Sequence, residues 1–282
     1  MTDSCHCFKA LLLVTVLAFL PALVLPAAGQ SSVWSLPETG QKTAIYSLGG
    51  GTSTARETYL SESSYSGWSV SALADSWTSR KAGSLFGYGK NHSDILFSSM
   101  TNSLGGGSTW QLMGNYSYAF EWMAVNTPSS DLLLGPVAMM NIGCLYNRSN
   151  SNNPATAEGY LALGLCMDYT LRYTIRQYPM ALQNSLYVPL AGVGFAPDYD
   201  QPYWHMYRYK QYDRALHFLW LGNNLALREQ IAVVFPIMGG RFRVAADLDI
   251  YRNHVGGHLR RISHSSAELG YIFTFEQKRW RL

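Results

Sequence analysis

The chain has 282 residues and a formal net charge of +3, and only 14% of its residues are charged, whereas soluble domains usually carry about a quarter. The small positive charge comes without a basic tract, so we expect no nucleic-acid partner. Nineteen Tyr and eight Trp are a large aromatic complement, typical of membrane interfaces and of surfaces that bind partners or carbohydrate.

The N-terminal residues have the three-part layout of a secretory signal peptide. Lys9 ends a short polar head, residues 10–25 are apolar, and residues 27–29 are small. The alternative, a membrane anchor, is disfavoured because the apolar stretch is short for a span and is interrupted by Pro21. We therefore predict that residues 1–29 are a cleaved signal peptide and that the protein is exported.

Two cysteines, Cys144 and Cys166, remain in the predicted mature chain. In an exported protein they could form one disulfide, and they could equally be two buried small side chains. The mature chain has no Cys-x-x-Cys pair, so neither a zinc site of that kind nor a thioredoxin-like motif is expected. We predict no metal site and no cofactor.

Alternation with a period of two dominates the mature chain and is clearest from Leu161 to Ile175. The odd positions are large and apolar, and the even positions are small or polar and include Asp168 and Arg172. Because successive side chains of a strand point to opposite faces, this segment predicts a long strand with one apolar and one polar face.

Three further segments alternate in the same way: Trp110–Trp122, Phe242–Ile250 and Ala267–Phe275. Their lengths suit membrane β-strands, which need about 9–11 residues and carry apolar side chains outward. A soluble sandwich also alternates, but its strands are usually about five or six residues long. The segments therefore favour a closed antiparallel transmembrane β-barrel over a soluble sandwich or a soluble barrel.

Turn residues divide the rest of the chain into six more predicted strands: Gly67–Ser79, His92–Thr101, Leu132–Leu145, Leu182–Phe195, Ala215–Leu221 and Leu225–Ile237. The total is ten strands, or twelve if Thr43–Leu48 and Trp204–Tyr212 also pair. We predict an all-β protein with a signal peptide at 1–29, an N-terminal periplasmic segment at 30–65 with room for one strand, and a barrel at 66–282.

Several short phrases, taken in order, carry a resemblance to a known family: Glu57-Thr-Tyr-Leu60, Tyr65-Ser-Gly67, Tyr146-Asn-Arg148, Asn152-Asn-Pro154, Val188-Pro-Leu190, Phe195-Ala-Pro197 and Tyr199-Asp-Gln-Pro-Tyr203. The chain resembles, from about Glu57 to its end, a family of exported proteins of the Bacteroides lineage called domain of unknown function 3316. The resemblance implies an outer-membrane-like β-protein and no particular activity.

One candidate for chemistry is His264, Ser266 and Glu268, which share a face of the last predicted strand. They supply a base, a nucleophile and an acid, as in a hydrolytic triad. Outer-membrane lipid hydrolases present a similar His-x-Ser pair to lipid, whereas here the outward face should be that of Leu269 and Tyr271. The triplet should therefore point into the lumen, and a lipid hydrolase is an alternative rather than the leading hypothesis.

The polar faces of the predicted strands define a charged lumen set: Asp168, Arg172, Arg241, Arg243, Asp247, Asp249 and Glu268. Such a set can form a polar pore or a solute site. It can also fill a barrel that is too narrow to conduct, and for ten strands this second interpretation is favoured.

The aromatic segment at 199–213 could bind a glycan or peptide by stacking, and it could equally form an aromatic belt at a membrane rim, which is the favoured interpretation. His254 and His258 are four residues apart with two glycines between them, so they indicate a loop rather than a metal site.

These observations predict a barrel of a Gram-negative outer membrane with a structural, binding or small-solute transport role and no catalysis. The alternatives are an outer-membrane lipid hydrolase and a soluble periplasmic barrel that binds an apolar ligand. The expected partners are outer-membrane lipid and the barrel-assembly machinery.

Overall fold

The computed structural model describes residues 33–82, 85–102, 107–150, 154–198, 203–210 and 212–276. The predicted signal peptide, residues 1–29, lies outside the described residues. Across the described ranges, no helix is long and apolar enough to cross a membrane.

The described chain is almost entirely β-structure. Its strands are β1 (Gln41–Glu57), β2 (Tyr65–Ala82), β3 (Leu85–Thr101), β4 (Ser108–Asn126), β5 (Ser130–Asn147), β6 (Ala155–Ile175), β7 (Tyr178–Phe195), β8 (Leu216–Trp220), β9 (Asn224–Ile237), β10 (Gly240–Val255) and β11 (His258–Glu276). A short helix, α1 (Tyr203–Tyr209), and a 3₁₀ turn (Asp213–Ala215) lie between β7 and β8.

The strands form a closed antiparallel barrel. Apart from β8 and β9, neighbours along the chain pair with each other, and β1 pairs with β11. Both β8 and β9 pair with β7, β8 along residues 191–195 and β9 along residues 181–187, so these two segments occupy one strand position in the ring. Among the described residues the ring therefore has ten strand positions. The predicted all-β closed barrel is confirmed at the lower end of its range of ten to twelve strands.

Two predicted boundaries differ from the structure. Residues from Trp204 to Tyr209, predicted as part of an optional strand, lie in helix α1 instead, because Tyr203 and Met206 turn one helical face toward the protein. The segment at 30–65 contains β1, which pairs with both β2 and β11. The described part of this segment is thus part of the barrel, and the ring begins well before residue 66.

The two ends of the barrel differ in their connections. At one end, here called the short-turn end, lie the connections at 83–84, 127–129, 176–177 and 238–239, the start of β1 and the end of β11. At the other, the long-loop end, lie the connections at 58–64, 102–107, 148–154 and 196–215 and the short turn Gly256–Gly257, whose positive φ angles of 60° and 75° suit glycine.

Much of the outer surface is apolar, as the alternation predicts. Leu161, Leu163 and Leu165 of β6 are 62%, 68% and 56% exposed. Exposed aromatic side chains lie toward both ends: Trp68, Trp110, Tyr146, Phe218 and Trp220 toward the long-loop end, and Tyr46, Trp122, Tyr271, Phe273 and Phe275 toward the short-turn end. Exposed aliphatic side chains lie between these two groups.

Apolar clusters close the lumen at both ends. At the short-turn end Trp34, which precedes β1, lies 5.1 Å from the ring of Trp77 and packs with Ile45, Val234 and Ile272. At the long-loop end a second cluster contains Tyr59, Leu60, Tyr65, Met100, Leu145 and Ile262. The core of the protein is therefore the barrel interior, with charged side chains between two apolar layers.

Candidate functional site

The lumen near the short-turn end holds a buried lysine, Lys90. Lys90 and its partners Asp168, Ser185, Trp77 and Tyr187 are here called the lysine cage. The Nζ of Lys90 donates to Asp168 at 2.7 Å and to Ser185 at 3.0 Å. It also lies 4.9 Å from the ring centroids of both Trp77 and Tyr187. Two aromatic faces and a carboxylate thus surround one ammonium group. Together they compensate its positive charge, which would otherwise be costly to bury.

Next along the lumen, alternating acids and bases form the central charge network: Asp75, His92, Asp94, Arg228, Arg243 and Asp247. The two ring nitrogens of His92 lie 2.6 Å from Asp75 Oδ1 and 2.9 Å from Asp94 Oδ1. Arg228 donates to Asp94 at 2.6 Å and Arg243 to Asp75 at 2.9 Å. The network joins β2, β3, β9 and β10 across the lumen.

A third group lies toward the long-loop end. Arg260 forms an ion pair with Glu57 and lies 3.9 Å from Glu158, which also accepts a hydrogen bond of 2.9 Å from Gln111. The rings of Tyr160 and Tyr251 stack next to this group, with centroids 5.4 Å apart and planes 7° apart. Charged and aromatic side chains thus occupy the interior between the two apolar layers.

Little space remains between these groups. A cavity of about 20 Å³, lined by His92, Tyr160, Arg228 and Asp249 among others, has room for about one water molecule. In the part of the chain that the structure describes, the lumen is a packed interior.

The structure places the predicted lumen residues as follows. Asp168 lies in the lysine cage, and Arg243 and Asp247 lie in the central charge network. Glu268 accepts from Gln230 at 3.0 Å, and Asp249 lines the small cavity. Arg172 pairs with Asp131 and donates to the backbone oxygen of Trp34 at 3.1 Å, and so holds the segment before β1 in the lumen. Arg241 lies at the short-turn end and donates to Thr274 at 2.6 Å.

The candidate triplet does not assemble. His264 Nδ1 lies 2.6 Å from the hydroxyl of Ser53 on β1, and Glu268 is bonded to Gln230. No hydrogen bond joins Ser266 to either of them among the described side chains. His264 and Glu268 are only 4% and 3% exposed and face the lumen, so neither can meet a lipid at the outer surface.

The other sequence candidates have ordinary places. Cys144 and Cys166 are both free, the first exposed and the second buried, so the disulfide that the sequence left open is not formed. His254 is exposed, while His258 is buried with its Nε2 2.8 Å from the backbone oxygen of Pro197. The described side chains include no group of three His, Cys, Asp or Glu that could hold a metal ion.

Helix α1 is attached to the barrel through a tyrosine hydroxyl. Tyr203 accepts a hydrogen bond from the backbone N–H of Ala157 at 2.7 Å, and its hydroxyl lies 3.0 Å from that of Thr156. Burial raises the pKa of Tyr203, so the hydroxyl stays protonated. Trp204, Tyr207 and Tyr209 remain 60%, 81% and 59% exposed at the long-loop end.

Sequence reasoning missed five of the charged and titratable residues that fill the lumen: Asp75, Lys90, His92, Asp94 and Arg228. Lys90 was missed because β3 begins at Leu85, before the predicted start at His92. Arg228 lies in the run Arg228-Glu229-Gln230, where both strand faces are polar and alternation gives no assignment. Asp75 shares the inward face of β2 with the apolar Leu73 and Trp77, so alternation defines no polar face there and gives no signal for it.

Solved barrels resemble the chain at low sequence identity. They include the outer membrane protease OmpT from Escherichia coli, with 9% identity over 86% of this chain and 100% of that chain and a TM-score of 0.43. They also include an outer membrane channel from Pseudomonas putida F1, with 8% identity over 88% and 100% and a TM-score of 0.36. A third is the beta domain of the Bordetella autotransporter BrkA, with 10% identity over 83% and 99% and a TM-score of 0.34.

A search of curated proteins finds no match to the chain. The resemblance noted in the sequence is nevertheless confirmed, since the model of one protein family matches residues 11–279, nearly the whole chain. The chain therefore belongs to the family described as Protein of unknown function (DUF3316).

Proposed function

We propose that the protein is an outer-membrane barrel whose lumen is a structural core rather than a pore, and whose interactions take place on its outer wall and at its long-loop end. The observation that carries this proposal is the outward face of exposed leucines and aromatic side chains on a closed ring. In water such a continuous apolar surface would be an aggregation hazard, whereas in a bilayer it is the expected wall.

Strand length supports the membrane position. A strand of seventeen residues, such as β1, is roughly 56 Å long at about 3.3 Å per residue. At a tilt of about 35–45° it rises roughly 40–46 Å, more than the apolar band of about 25 Å in membrane barrels. The strand ends therefore stand beyond the hydrocarbon, where polar loops are stable. Outer-membrane lipid and the barrel-assembly machinery are the partners that this position implies.

The first experiment is a gel shift of the mature protein refolded in detergent, run with and without boiling. We expect an unboiled band that migrates differently and resists protease, because a closed membrane barrel keeps its ring in detergent. Recovery of the native protein in the soluble periplasmic fraction, without a band shift, would contradict the outer-membrane proposal and favour a soluble barrel.

The sealed lumen has its own test in planar lipid bilayers. We expect no conductance steps from the refolded protein, measured beside a porin that does conduct. Trp34→Ala should also remain closed, because the central charge network fills the lumen behind Trp34. Discrete conductance from the wild type would contradict the proposal, and conductance from Trp34→Ala alone would assign the closure to the segment before β1.

The absence of catalysis is part of the proposal. It is supported by the hydrogen bond of His264 to Ser53 in place of Ser266, and by the inward direction of His264 and Ser266. Wild type and Ser266→Ala should show the same background turnover of phospholipid in mixed micelles. A loss of turnover in Ser266→Ala, with an unchanged gel shift, would establish the lipid hydrolase instead.

A further inference from the structure

Three arginines lie side by side on the outer wall near the long-loop end, and they are here called the arginine row. Arg261 of β11 is directly opposite Arg56 of β1 on one side and Arg252 of β10 on the other. Side chains directly opposite each other in antiparallel strands have Cβ atoms about 4.5–5.5 Å apart. The three guanidinium groups are therefore near neighbours on one face.

The row has too few acidic partners. Arg56 donates to Glu62 at 3.1 Å, an exposed pair. Within the described ranges, neither Arg252 nor Arg261 has a carboxylate at ion-pair distance, and both are exposed. Because like charges directly opposite each other destabilise a sheet, the row costs stability unless an anion lies over it.

A groove opens beside the row. It has a volume of about 560 Å³. Its lining includes Arg252, Asn253 and His254 of β10, Leu259 of β11, and residues 221–225 around the turn between β8 and β9, which contribute two leucines and two asparagines. Leu221 and Leu225 are 51% and 42% exposed. The groove thus combines a guanidinium group, amide groups and exposed leucines, a mixture that suits an amphipathic ligand better than a small ion.

On the side of the row that faces the apolar band, the outward side chains of β1 and β11 are small. On β1 and β11 the outward positions nearest the row are small: Thr52, Thr54, Ser263 and Ser265, followed by Gly50 and Ala267. Larger side chains flank them, Trp68 on β2 and Ile250 on β10. These small residues leave a depression that runs from the arginines toward the apolar band.

We propose that the arginine row and its groove bind a phosphorylated lipid of the outer leaflet, with the phosphate on Arg252 and Arg261 and the alkyl chains along the depression. This proposal rests on the proposed outer-membrane function. Guanidinium groups match phosphate oxygens with two parallel hydrogen bonds. A free phosphate would leave the leucines and the depression unused. A second copy docked through a two-fold axis on the row would bring arginines against arginines.

The test is lipid binding to the full mature chain in zwitterionic micelles, followed by native mass spectrometry. The probes are dioleoyl phosphatidic acid, dioleoyl phosphatidylcholine with the same chains, and inorganic phosphate. We expect wild type to prefer phosphatidic acid, and the double variant Arg252→Gln/Arg261→Gln to bind it roughly 25-fold more weakly, at about fivefold for each arginine near a membrane surface. Arg252→Lys/Arg261→Lys should retain more of the affinity.

The matched control is Arg80→Gln/Arg148→Gln, which removes two exposed positive charges away from the row and should bind as wild type does. A gel shift on every variant shows that the barrel is folded, so a failed shift in wild type rejects the outer-membrane proposal itself. Unchanged phosphatidic acid affinity in Arg252→Gln/Arg261→Gln would reject the lipid site. If inorganic phosphate competed as well as phosphatidic acid, the row would be a small-anion site. If wild type formed dimers that only Arg252→Gln/Arg261→Gln lost, the row would be a contact between copies.

Discussion

The most demanding residue in the lumen is Lys90, because a buried ammonium group must recover the hydration that it loses. It does so through Asp168, Ser185 and two aromatic faces, and Asp168 in turn accepts a hydrogen bond of 3.3 Å from Trp77 Nε1. Removing one member of such a group leaves the opposite charge buried and unpaired, which costs more than the pair itself contributes.

We expect Lys90→Met to lower the free energy of unfolding by about 3–5 kcal/mol, the usual cost of breaking a buried ion pair. The measurement is the urea midpoint of the unheated gel band in detergent. Lys42→Met is the control, because its Nζ lies 6.0 Å from the ring of Phe275 in a partly exposed place. Lys90→Met/Asp168→Asn should recover part of the loss. A midpoint for Lys90→Met equal to that of Lys42→Met would show that the cage is not a source of stability.

At the same scale, the sequence predicts whether a side chain points into the lumen better than it predicts which side chain it contacts there. The inward positions of Asp168, Arg243 and Asp247 follow from the period of two, and in the structure their carboxylates and guanidinium group lie in the lumen. Their partners do not follow, because Asp168 meets Lys90 only through a register across several strands. Pairing across a lumen depends on which strands stand opposite each other in the closed ring, and single-strand periodicity contains no such information.

At the scale of elements, the barrel closes where β1 meets β11, and the two backbones approach closely at one glycine of that seam. A Cβ added to Gly51 would lie 2.0 Å from the backbone oxygen of Ser265 and 2.6 Å from Cα of Ser266. Backbone atoms cannot move aside as a flexible side chain can. A Cβ added to the preceding residue, Gly50, would lie 3.8 Å from the nearest atom, which is an ordinary contact.

These neighbouring glycines form a matched pair for testing the seam. Gly51→Ala should destabilise the barrel by about 1–3 kcal/mol, the cost of overpacking, and lower the yield of shifted band on refolding. Gly50→Ala should stay within about 0.5 kcal/mol of wild type. Equal refolding yields for the two variants would mean that β1 and β11 separate enough to accept a Cβ, contrary to the register seen here.

Elements also show where sequence reasoning fails. Residues 204–212 are rich in aromatics with strand propensity, yet α1 forms because Tyr203 is held by Thr156 and Ala157 and Met206 is buried. The contacts that select the helix come from β6, far away in sequence. The split between β8 and β9 is likewise a feature of the ring, since both segments pair with the same strand.

At the scale of the whole molecule, the asymmetry between the two ends predicts an orientation. Membrane barrels have short turns on the periplasmic side and longer loops outside the cell. The described chain enters β1 and leaves β11 at the short-turn end, and four of the five connections at the opposite end are long. We therefore expect α1, the groove and the arginine row to lie on the outer side of the membrane.

Cysteine labelling in intact cells tests this orientation. On a Cys144→Ala/Cys166→Ala background, His205→Cys in α1 should react with a membrane-impermeant maleimide. Gln177→Cys, in the two-residue turn between β6 and β7, should react only after the outer membrane is permeabilised. Both positions are exposed, so accessibility to water does not distinguish them. The reverse labelling pattern would place the arginine row in the periplasmic leaflet, where the expected lipid differs, and would turn the long loops toward the periplasm.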